Sequence, residues 1–136
     1  MNITQLSFDE NMEMKLFVEE LGCDVRLVLS DGLYAYEEKL TPEYKEEIAA
    51  FINGVSVWYN KAVQAVLARG KQLYNTTATK HALKLQSIFI LFEQNEAPLF
   101  GLSFRTEFDI EHGCGVKISG GSFDITEVRT AEVAFC

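Results

Sequence analysis

Asp109, Glu111 and His112, followed by Gly113 and Gly115, place two carboxylates and an imidazole on a short stretch that ends between glycines. A carboxylate beside an imidazole can move protons near neutral pH, the chemistry of a small hydrolase or isomerase working through Glu111 and His112. Neighbouring residues of a strand face opposite ways, so the two side chains reach one substrate only within a turn. The structural alternative is that Glu111 or His112 hydrogen-bonds the loop backbone and fixes a hairpin. That alternative is favoured, and no catalytic residue is assigned.

Metal binding needs three or four convergent ligands, and His81, His112 and Cys114 show no zinc-ligand spacing. No metal or cofactor is expected. Cys114 has Asp109 and Glu111 nearby, whose charge disfavours a thiolate. Ser103, Ser119 and Ser122 lack a G-x-S-x-G elbow. Arg105, Glu107 and Asp109 alternate with apolar residues and read as the polar face of a strand, a candidate contact surface.

The elements that must position these residues read as α+β: one long amphipathic helix on an antiparallel sheet, in the order ββ-α-ββββ. The first two strands are a run from Leu16 to Leu21 and the alternating Val25, Leu27 and Leu29, with Leu33 to Tyr36 extending the sheet weakly. Thr41-Pro42-Glu43 marks a helix entry, with a threonine cap, a proline at the first position and an acid in the first turn. Apolar residues from Tyr44 through Ile48, Phe51, Val55, Trp58 and Val66 keep one helical face in phase across Gly54, which predicts an unbroken helix ending before Asn75. Its aromatic side is expected to be core; a pocket for a small ligand, reached by Trp58 and Tyr59, is the alternative.

Leu83 to Phe92 becomes apolar on both faces, as in a central strand covered on two sides. Clean alternation from Pro98 to Ile110 predicts one strand, reversal at Gly113 to Gly115, a strand from Val116, a turn at Ser119 to Ser122 into a further strand at Phe123-Asp124-Ile125, and a weak edge strand over Thr130 to Cys136. The whole chain, 1–136, is expected to form one domain.

Twenty acidic against twelve basic side chains give a net charge of -8, which repels nucleic acid and anionic membranes and attracts a basic partner. Cys23, Cys114 and Cys136 form no disulfide framework. No basic region precedes an apolar core at the start of the chain, and the apolar run Ile88 to Phe92 is far short of a membrane span. A cytoplasmic protein is expected, and its oligomeric state is open.

Leu99-Phe100-Gly101-Leu102-Ser103-Phe104, with Asp109-Ile110-Glu111-His112-Gly113-Cys114-Gly115-Val116, resembles a D-x-E-H-G-x-G-V hairpin pattern of small bacterial domains of unknown function. Some of those domains are suspected immunity-type proteins that bind and block a toxin. The resemblance implies a non-enzymatic, protein-binding domain whose partner is another protein, such as a basic toxin. It carries no catalytic residues over. Cys114 stands where that pattern more often has an apolar residue, and Phe123-Asp124-Ile125 where it has a valine-rich strand.

Overall fold

In a computed structural model of the chain, residues 6–9, 11–29, 40–75, 77–93 and 96–135 are described. They form a six-stranded sheet in sequence order. Strands β1 (Glu13–Val18) and β2 (Cys23–Leu29) are followed by helices α1 (Pro42–Asn53) and α2 (Val55–Tyr74). Strands β3 (Leu83–Ile90), β4 (Leu99–Thr106), β5 (Asp109–Ser119) and β6 (Ile125–Arg129) complete the sheet, and a 3-10 turn, Ala131–Phe135, ends the described chain.

The helical region corrects the expectation of one long helix. Thr41 does cap its start, accepting the Tyr44 N–H at 3.2 Å, with Pro42 at the first position. The helix breaks at Gly54, however, and restarts. A straight rod from Pro42 to Tyr74 would be about 50 Å long, whereas the longest strand, β5, spans about 36 Å, so an unbroken helix would outrun its sheet. The break is held by aromatic contacts. Phe51 lies stacked between Trp58 at 4.7 Å and Phe100 of β4 at 3.9 Å. Its carbonyl accepts the Gly54 N–H at 3.1 Å and the buried Trp58 indole N–H at 2.7 Å. A Cβ on Gly54 would sit 2.6 Å from the Phe123 ring, which reaches the helix from the turn between β5 and β6. The glycine is therefore there to let that ring approach.

The sheet is mixed and not wholly antiparallel: β2 and β3 pair in parallel, Leu27 opposite Ile88 and Leu29 opposite Ile90. A helical crossover is the connection that parallel neighbours require. Val25, Leu27, Leu29, Ile88, Phe100 and Val116 are buried on the helix-covered face.

The remaining corrections concern the C-terminal strands. β4 ends at Thr106, which pairs with Asp109, so the chain reverses at Glu107 and Phe108, not at Gly113 to Gly115. The expected last strand over Thr130 to Cys136 is instead the 3-10 turn, lying flat on the face of the sheet opposite the helices. Gly101 and Gly115 make that possible. A Cβ on Gly101 would run into the Ala134 backbone, and one on Gly115 would lie 2.7 Å from the Thr130 carbonyl oxygen. The segment from Leu33 to Tyr36, read as a weak strand, and Cys136 lie outside the described residues.

Gly101→Ala should therefore force the C-terminal turn off the sheet and cost about 1–3 kcal/mol, as overpacking typically does. Gly121→Ala, with nothing within 4 Å of the added methyl, should cost far less in the same urea titration.

Candidate functional site

The Asp109-to-Gly115 motif is a bulge in β5. Phe104 pairs with Cys114 and Thr106 with Asp109, so Ile110, Glu111, His112 and Gly113 together stand against the single residue Arg105. Such insertions bend a strand and re-aim its side chains. Gly113 closes the bulge with φ +64, a backbone conformation unfavourable to any residue with a Cβ.

Asp109 organises the loop from within. One carboxylate oxygen accepts the His112 backbone N–H at 3.1 Å and meets the ring Nδ1 at 3.0 Å. The other accepts the Tyr74 hydroxyl, tying the bulge to the end of α2. The Asp109 side chain is only 10% exposed, against 54% for His112. The Tyr74 phenol, and then the His112 backbone and ring, hold the Asp109 carboxyl below its ordinary range, and the same bond raises the Tyr74 hydroxyl. The phenol ring also packs on Phe108 at 5.5 Å.

This arrangement orients an imidazole on an exposed loop. Glu111 is exposed on the bulge, as is His112. Cys114 is buried, and burial pushes its thiol up to about 11, away from the thiolate form at neutral pH. Trp58 is wholly buried in the core, with its N–H given to the Phe51 carbonyl. Among the described residues no group of three or more His, Cys, Asp or Glu side chains could hold a metal ion. No helix among them is long and apolar enough to cross a membrane.

Arg105, Glu107 and Asp109 do not share a strand face. Arg105 projects from β4 on the side away from the helices, Glu107 sits in the reversal, and Asp109 is engaged by Tyr74 and His112. The face that Arg105 belongs to is the more informative surface. It is covered by the C-terminal turn over β4 and β5, where Gly101 and Gly115 receive it. Over β1, β2 and the start of β3 it carries exposed Lys15, Phe17, Arg26 and Lys84.

Six of the twelve basic side chains of the chain, Lys15, Arg26, Lys84, Arg105, Lys117 and Arg129, fall on this face by register. Two of its cross-strand pairs oppose like charges directly, Lys15 with Arg26 and Lys84 with Arg105. Such pairs are destabilising. Acids relieve part of the face: Glu13 bridges Arg26 at 3.2 Å, and Glu127 bridges Arg129 at 3.7 Å. Arg26 also donates to Ser87 Oγ at 3.3 Å. Among the described residues, no acid lies within ion-pair distance of Lys84 or Arg105.

Arg105 was accessible to sequence reasoning as a strand-face residue. Lys84 carries no motif of its own, although the alternation of Leu83-Lys84-Leu85-Gln86 places it outward. Compared with protein-family models, curated proteins and solved structures, the chain matches none.

The Asp109 shift has a definite pH signature. A carboxyl depressed by folding stabilises above its ordinary pKa of about 3.9, and that contribution disappears as pH falls through the lower folded value. A tyrosine raised by folding stabilises below about 10 and loses that contribution at higher pH. Asp109→Asn should lower the urea midpoint at pH 7, and the gap from the native chain should close on acidification. Tyr74→Phe should show its own gap closing on the alkaline side as well.

Proposed function

We propose that this chain is a non-enzymatic domain that binds another protein through the uncovered part of its sheet, around Arg26, Lys84 and Arg105. The observation that carries this reading is the Lys84 and Arg105 pair: like charges directly opposed on adjacent strands, without an acid partner among the described residues, in a chain whose net charge is -8. Stability alone favours separating such charges or pairing them with acids. A surface that holds them together is organised for something else.

Exposed Phe17, at 59%, adds an apolar contact on β1 within the same face. The opposite face of the sheet is taken up by α1 and α2, whose outward side chains, Lys61 and Gln64 among them, make an ordinary solvated surface. An immunity-type role, implied by the motif resemblance, is one form that such binding could take. The acidic excess of the whole chain speeds the approach of a basic protein at long range, but Asp109 is occupied internally and does not belong to the contact surface. Proton-transfer chemistry at Glu111 and His112 is the weaker reading, because the imidazole is held by Asp109 on an exposed bulge.

The test uses the chain as bait in extracts of cells that express it, beside two variants. The bait with Arg26→Glu and Arg105→Glu should lose a protein that the native bait and a Lys61→Glu, Lys71→Glu control both retain. Recovery of the same proteins by all three baits, or of none by the native bait, contradicts the proposal.

A further inference from the structure

The open face has a focus, and its chemistry names the partner more narrowly. His81, Ala82, Leu83, Lys84, Arg105, Glu107 and Ile110 line a depression of about 310 Å³ where the short 3-10 segment Lys80–Ala82 enters β3. Its floor and rim come from three separated parts of the chain, held in register by strand pairing. Lys84 lies directly opposite Arg105, and the Glu107 N–H donates to the Ala82 carbonyl at 2.9 Å, fixing the reversal against the 3-10 segment. Ile110 is lifted onto the same depression by the β5 bulge and is 66% exposed. The bulge thereby acquires a use: it presents an apolar side chain beside two cations that no acid among the described residues pairs.

We infer that this depression is the seat for an acidic segment of the partner protein, one that sets carboxylates on Lys84 and Arg105 and an apolar side chain on Ile110. The inference rests on the protein-binding reading given above and narrows it to a class of partner. Arg105 offers a planar fork that suits a carboxylate, and Lys84 offers a point charge with free rotation. His81 lines the same wall with an additional nitrogen. Among the described residues, Glu107 is the single carboxylate lining the depression, and it lies beyond ion-pair distance of both cations.

Charge complementarity also separates this occupant from other polyanions. A nucleic acid or an anionic membrane extends well past the depression and meets the rest of a chain with net charge -8, whose field acts over about 8 Å at physiological salt. A short acidic segment feels the local pair and little else. Its apolar residue has a place to go, which a phosphate backbone lacks.

The probe is a fluorescein-labelled peptide of glutamates flanking one leucine, titrated with the full chain and followed by anisotropy at low and at physiological salt. It should bind, more weakly as salt rises. Arg105→Gln and Lys84→Gln should each weaken it by about 10-fold, the scale of one charge-assisted contact, while Lys61→Gln should not. Ile110→Ser should weaken the leucine peptide and leave an all-glutamate peptide unchanged. All variants are surface changes, and cooperative urea transitions with midpoints not below that of the native chain show that each is folded; relief of the opposed charges should raise those of Arg105→Gln and Lys84→Gln slightly.

No binding by the native chain, or binding indifferent to both Gln substitutions, overturns the assignment. Tighter binding of a single-stranded oligonucleotide or of phosphatidylserine vesicles overturns it equally. If the peptide fails while capture still depends on Arg26 and Arg105, the acidic class falls and the binding face stands; if capture fails too, both fall.

Discussion

Phe51 is the residue on which the architecture turns. Its ring is clasped between Trp58 and Phe100, at 4.7 and 3.9 Å, and its carbonyl takes the indole N–H that would otherwise be buried without a partner. A buried unpaired donor costs about 1–3 kcal/mol, so the bond and the stack reinforce a single geometry. That geometry requires the helical region to break at Gly54, and the break allows Phe123 to close on the helix from the far end of the sheet. Phe123 adopts φ 57 to do so, an uncommon conformation for a bulky residue, offset here by its ring contacts.

With one face of the sheet given over to the helices, the other is left to the C-terminal turn and to solvent. The turn covers only what its length allows. Gly101 and Gly115 remove the side chains that would hold it away, and Ala134 is buried against Gly101. Beyond it, the parallel pairing of β2 and β3 brings Arg26 alongside Ser87 and extends the open face to β1. The charged surface is therefore a consequence of how the core is closed.

Much of this was legible in the residues. The Thr41 cap and Pro42 mark the first helix, and the doubly apolar end of β3 signals cover on both faces. Three features were not legible, each for a physical reason. Gly54 keeps the apolar phase of a continuous helix, and only the tertiary approach of Phe123 shows why the chain breaks there. Glu107 and Phe108 turn the chain without Gly, Pro, Asn or Asp, and the apolar alternation of the sequence runs through them to Ile110, although the pairing of Thr106 with Asp109 inverts the faces beyond the turn. Ala131, Val133 and Phe135 alternate like a strand, yet the available surface is a sheet face and not an edge. The parallel pair was open to a parity argument: one helical traverse between two neighbouring strands makes them run the same way. As for the candidate site, Arg105 was visible as an outward residue, whereas its pairing with Lys84 is a matter of register, which alternation within a single strand does not reveal.

The central claim is that the helix-free face is the working surface. Individual lysine reactivity toward an acylating reagent, read by mass spectrometry with and without the captured partner, tests it most directly. Protection confined to Lys15 and Lys84, with Lys61 and Lys71 of α2 unchanged, is the predicted result. Protection of the helix lysines with Lys15 and Lys84 still reactive would contradict it.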